Sequence, residues 1–249
     1  MTRKYLIQQV ALRMDEVTPD IEIDDLTVDG SDNNPLYTLI DGLVDAGCLE
    51  LFSVAPYWRL KQTAFPGASV ALATVGSQRR INDGGTTISA RKMIRLKVPD
   101  DFLRVAEINH TSFQRPITEV VPEAAELARR QHNPFLMAKE ARPVGVMSHG
   151  IWTTTVGNDT TSEQCREIDC YSIASSATAS GVEATYIAKP AVIDDDDEHS
   201  GANAVSVESV VPAVLIPALE WLIAARTFGA RGDANHAAIC QQNAQNVLV

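Results

Sequence analysis

Residues able to do chemistry are few in this chain and seldom grouped. Ser148-His149-Gly150 sets a hydroxyl beside an imidazole, the two groups that nucleophilic catalysis combines. Adjacent residues of a strand point to opposite faces, so their order does not imply a working pair. No G-x-S-x-G turn is present to raise a serine toward substrate. Cys165 and Cys170 need two further soft ligands to hold zinc, and the nearby His149 and His199 complete no zinc-ligand pattern. Both cysteines read as small core residues. The run Asp194-Asp195-Asp196-Asp197-Glu198 has carboxylates enough for calcium or magnesium, but not the alternation of ligand and turn residue that wraps an ion. It reads as a solvated, self-repelling loop that orders against a basic neighbour. Asn82-Asp83-Gly84-Gly85 lacks the lysine and hydroxyl of a phosphate-cradling loop and reads as a hairpin tip. The expectation is therefore a chain with no catalytic, cofactor-binding or metal-ligating residue, and not an enzyme.

The elements around these residues follow from hydrophobic spacing. Tyr5, Leu6, Ile7, Val10, Leu12 and Met14 recur at three and four, which predicts a first helix ending near Val17 before Thr18-Pro19-Asp20. Pro35 can open a second helix, and Leu36, Leu39, Ile40, Leu43, Val44 and Leu51 carry its stripe from about 35 to 53. From Tyr57 to Val98 the period shortens, and Trp58 with Leu60, Val70 with Leu72, and Met93, Ile94 and Leu96 read as strands. Pro99-Asp100-Asp101-Phe102-Leu103-Arg104-Val105 reads as a capped entry into a short helix or turn. Pro122 to Gln131, acidic early and basic late, reads as a helix. Val144 to Pro190 returns to β-prone segments, among them Glu167 to Ile173 and Ala184 to Ala188.

Beyond Pro212, Val214, Leu215, Leu219, Trp221, Leu222, Ala225 and Phe228 predict an apolar helix ended by Gly229 or Gly232. Asp233 then caps a last helix through Val247. Trp221 reads as core. The fold class is α+β, a helical bundle of N- and C-terminal helices (1–56 and 205–249) with a β-rich middle region (57–204).

Composition narrows the function. A chain of 249 residues that is 45% apolar can bury a real core. Its formal charge of -11 argues against gripping nucleic acid over the whole surface. The best local basic patch, Gln78, Arg79, Arg80, Arg91, Lys92, Arg95 and Lys97, reads as a solvated strand-and-loop face. Four scattered cysteines point to folding in a reducing compartment. No signal peptide or membrane span is expected.

In layout the chain resembles the head-to-tail adaptor, or neck ring, proteins of tailed bacteriophages, particularly the short-tailed crAss-like group. The resemblance lies in the early helix pair, the Pro99-Asp100-Asp101-Phe102-Leu103-Arg104-Val105 segment, a β-rich middle ending in Tyr186-Ile187-Ala188-Lys189-Pro190, and Pro217-Ala218-Leu219-Glu220-Trp221-Leu222-Ile223-Ala224-Ala225 with its trailing Gln- and Asn-rich helix. It implies a virion protein made in the host cytoplasm, a homo-oligomeric ring of about 12 copies between portal and tail proteins. Genomic DNA would pass through its channel without specific binding, eased by the acidic balance. Two other functions stand beside it. One is a hydrolase using His149 or His110 with a carboxylate, and the other is a module that binds a surface ligand through Trp58, Trp152 and Tyr171.

Overall fold

Helices open and close the chain and strands fill its middle. A computed structural model describes residues 1–17, 35–74, 92–131, 138–139, 141–156, 159–173, 181–193 and 205–249. Its helices are α1 (Arg3–Val17), α2 (Pro35–Asp41), α3 (Val44–Val54), α4 (Glu126–Arg130), α5 (Val207–Val210), α6 (Ile216–Ala230) and α7 (Ala234–Leu248). Its strands are β1 (Thr63–Ala64), β2 (Val70–Thr74), β3 (Lys92–Lys97), β4 (Phe102–His110), β5 (Val120–Pro122), β6 (Val144–Val156), β7 (Asp159–Ile173) and β8 (Val182–Ala188). Two compact units result: Met1–Lys61 with Lys189–Val249, and Gln62–Ala188. The second unit lies inside the 57–204 expected for the β-rich region at both ends, by a few residues at the first and by more at the second. Arg59 donates to the Val247 and Val249 carbonyls, and Arg3 to the Ile193 carbonyl at 2.8 Å, so both flanking segments belong with the helices.

The helical unit is built around α6. This helix has apolar residues on every side, the pattern of a segment with no solvent face, and it contacts α1, α2, α3 and α7. Ile216, Leu219, Leu222, Ile223 and Phe228 are buried, as is Trp221. The segment Ala213–Ala230 is long and apolar enough to cross a membrane by composition, and 61% of it is buried within this unit. Leu6, Val10 and Met14 of α1 and Val44, Cys48 and Leu51 of α3 close the same core. Gly47 lets α3 approach closely, since a Cβ there would stand 2.5 Å from Ile223 Cγ1. Pro217 sits in the first turn of α6, where its missing N–H is harmless. At the other end, Gly232 is left-handed (φ 82°), and Asp233 N–H bonds the Phe228 carbonyl at 2.9 Å. That bond ends α6 in a Schellman turn. Asp233 then accepts from the His236 amide, the expected cap of α7.

In the β unit, a three-stranded sheet of order β1-β8-β4 and a five-stranded sheet of order β2-β3-β7-β6-β5 share one core. Ile94, Leu96, Ile168 and Cys170 of the larger sheet meet Phe65, Phe102, Val105, Ile108 and Tyr186 there. The opposite face of the larger sheet carries Met93, Val146 and Tyr171, packed with Ala128 of α4. Neighbouring strands are antiparallel except β5 and β6.

Four expectations are corrected. The single helix over 35–53 is two, parted at Gly42 and Leu43, because glycine holds a helix interior poorly and Leu43 N–H turns back to Ile40 at 2.9 Å. Tyr57–Arg59, around Trp58, is a 3-10 turn rather than a strand, entered from Pro56. Pro99-Asp100-Asp101 is a tight turn that leads not into a helix but into β4, where pairing with β8 overrides the local capping signal. Only Glu126–Arg130 of the 122–131 segment is helical, since Val120–Pro122 is drawn into the sheet by β6. The 3-10 turn Ala213–Leu215 also precedes α6, which leaves Val214 exposed. Gln78, Arg79, Arg80, Asn82 to Gly85, Arg91, the Asp194–Glu198 run and His199, for which expectations are stated above, lie outside the described residues.

Candidate functional site

The polar residues of the β unit collect where β6 and β7 leave the larger sheet. On one face, Glu167 and Asp169 alternate along β7 and are both buried. Arg95 of β3 meets them: its Nε lies 2.7 Å from Asp169 Oδ1 and 3.0 Å from Glu167 Oε2. One guanidinium thus faces two carboxylates. Its hydrogen bonds to Asp169 raise the Arg95 pKa. Burial raises that of Glu167, opposed by the charge of Arg95 and reinforced by that of Asp169. Gly150 makes room for this carboxyl, because a Cβ there would collide with Glu167 Oε2.

Ser148 and His149 part company here. Ser148 donates to Asp169 Oδ2 at 3.4 Å on the carboxylate face. His149 lies exposed on the other side of β6, in an open cleft of 880 Å³ with Pro66, Ser69, Asp100, Gln164 and Arg166. Arg166, its cross-strand neighbour, stacks its guanidinium over Phe102 at 5.9 Å. The Cys165 thiol lies on the carboxylate face toward Glu167, where burial and the nearby carboxylates raise its pKa and disfavour the thiolate.

His110 is placed for structure. It is buried at the end of β4, where its Nδ1 accepts the Ser112 amide at 3.1 Å and lies 2.6 Å from Ser112 Oγ. Phe113 packs edge-on against the ring at 5.5 Å. An Nδ1 that accepts a backbone N–H holds a tight turn.

Cys165 and Cys170, five residues apart on one strand, face opposite sides of the sheet. All four cysteines are free. Burial lifts the Cys48 thiol to about 12 and that of Cys240 to about 11, and pushes Cys170 up as well. Among the described residues no three His, Cys, Asp or Glu gather to hold a metal. Of the proposed ligand-binding aromatics, Trp152 and Tyr171 are buried, while Trp58 is 69% exposed in the other unit. Arg95 and Lys97, described members of the basic patch, are each matched by acid, Lys97 by Glu163.

The helical unit offers a different surface. Trp58 stands out beside Val54, 54% exposed at the end of α3, and its ring meets Tyr57 at 5.3 Å. The Arg59 bonds to the α7 terminus bring Val249 to this neighbourhood. Sequence reasoning placed Trp58 in a strand and offered it as a contact only for a surface ligand, so it missed the turn that presents it. The available signal was Pro56 beside it, which favours a turn.

No protein-family model matches the chain, and no curated protein matches its sequence.

Proposed function

We propose that the protein is a structural virion subunit, forming a ring of about a dozen copies in the portal-to-tail neck of a tailed phage. The ring extends the genome channel and docks tail components, and the subunit is made in the host cytoplasm before joining the virion. The observation that carries the reading is the exposed aromatic corner of the helical unit, Trp58 with Val54 and Tyr57 on a turn pinned by Arg59. A large aromatic on a rigid turn is the kind of residue that anchors protein interfaces. The chemistry of the β unit supports it further. Its carboxylates are bound by Arg95 and its exposed histidine faces away from Ser148, so its polar groups brace a sheet. A net charge of -11 suits a channel wall along which DNA slides.

Trp58→Ala is the test. Burial of this side chain between subunits predicts a loss of about 2–4 kcal/mol per contact, read as a shift of the assembly midpoint to higher protein concentration. The melting temperature of the dissociated chain should stay near that of wild type. Unchanged assembly would remove the corner from the interface.

A further inference from the structure

The β6–β7 hairpin outruns the sheet that holds it. β5 pairs with β6 only from Val120↔Gly145 to Pro122↔Met147, and the β3 ladder with β7 ends at Lys97↔Glu167. β6 and β7 continue together without a bulge as far as Val156↔Asp159. Residues 150–156 and 159–165 form a two-stranded ribbon that no third strand flanks among the described residues. Its length is about 23 Å at 3.3 Å per residue. A lone two-stranded ribbon is marginal in water.

Among the described residues no strand pairs with the outer edges of this ribbon at Ile151 and Thr153 or at Ser162 and Gln164, and the ladder identifies their groups. The Met147 carbonyl accepts Glu123 N–H on the β5 side, and the Arg166 carbonyl accepts Val98 N–H on the β3 side. Backbone groups alternate sides along a strand. Ile151 and Thr153 therefore direct N–H and C=O outward from β6, and Ser162 and Gln164 outward from β7. Proteins that must keep such edges apart use lysine, proline or bulges. Residues 150–165 contain no lysine, arginine or proline, and their pairing is regular.

We infer that these ribbons pair edge to edge between copies of the chain and close into a β-barrel of hairpins. This rests on the assembly reading above. The β6 edge of one copy takes the β7 edge of the next, all strands antiparallel, and only closure leaves no edge open. A single such contact covers on the order of 250 Å² per partner, from a ribbon about 23 Å long and one sheet thick, below the ~800 Å² of a stable pair. A dimer through this edge is therefore too small, whereas a ring gives every copy two contacts and adds those of the helical unit. About two dozen strands tilted by about 40° close at a diameter of about 50 Å, wide enough to surround a nucleic-acid duplex.

The test uses the full-length protein. Residue-resolved hydrogen exchange by mass spectrometry reads the amides of Ile151, Thr153, Ser162 and Gln164, while mass photometry reads assembly. The expected result is strong protection of these outward amides in the assembled protein. Thr153→Pro and Ser162→Pro each remove one outward donor and spare the inner ladder, so each should weaken assembly about tenfold or more. Thr153→Val and Ser162→Val keep the donors and should assemble like wild type. Where a proline variant fails to fold, the exchange experiment on wild type decides alone. A large assembly whose outward amides exchange freely overturns the barrel and leaves the ring reading standing. A monomer at every concentration overturns both.

Discussion

Helix α6 and strand β7 are each fifteen residues long, yet they stand in opposite relation to their surroundings. Eleven of the side chains of α6 are buried, so nearly any change to it is felt by α1, α3 or α7. β7 is enclosed from Glu167 to Tyr171, whereas over residues 159–165 it lies beside β6 alone, with no third strand among the described residues. Residues of the first kind hold a subunit together. Those of the second pair only within their own hairpin among the described residues, and under the proposed barrel their outward groups would gain partners from the next copy. The contrast predicts that mutations in α6 change unfolding and that mutations in the ribbon change association.

The largest expected effect lies at Leu219, which has no solvent exposure. Leu219→Ala should lower the unfolding free energy by about 2–5 kcal/mol through lost burial and the cavity left behind, measured by denaturant titration of the dissociated chain. A smaller change would mean that α6 is less tightly enclosed. Gly47→Ala comes next, at about 1–3 kcal/mol, because the added methyl presses on Ile223. Glu220 is buried and accepts from Arg13 Nε at 3.0 Å, while the Arg13 guanidinium also lies 5.3 Å over Trp221. Since Arg13 keeps contact with water, Glu220→Gln should cost about 1–2 kcal/mol. At the far end of the scale, Ile151 is 64% exposed on the ribbon, and Ile151→Ala should shift unfolding by no more than about 0.5 kcal/mol. A large loss there would show that the ribbon packs within its own chain.

The carboxylate pair gives the β unit a pH signature of its own. Burial holds Glu167 above its ordinary value of 4.5, so the folded chain binds this proton more tightly than the unfolded chain does. The stability this group contributes is complete below that ordinary value and is lost as pH rises through the higher folded value. Glu167→Gln should therefore flatten the fall in stability across that window, followed by thermal unfolding at stepped pH. An unchanged slope would place the proton elsewhere.

Much of the helical unit could be read from residue order. Leu6, Val10 and Met14 mark one face of α1, and Asp233 marks the start of α7, because both signals lie within a few residues of each other. The all-round apolar content of α6 likewise announced a buried helix. The β unit was legible as strands but not as a sheet. Asp100 and Asp101 carried a local cap signal ahead of Phe102 to Val105, which β8 overrode from some eighty residues away. Arg95, Glu167 and Asp169 meet through the β3–β7 register, although two acids alternating with Ile168 and Cys170 were a visible sign of a polar stripe on one face. The open ribbon depends on where β3 and β5 stop, which nothing inside residues 150–165 encodes.

The most direct measurement of the central claim is the mass of the purified chain across a wide concentration range, by mass photometry or sedimentation. The account predicts one discrete closed species of about a dozen copies in equilibrium with dissociated subunits. A single-chain mass at every concentration would contradict it.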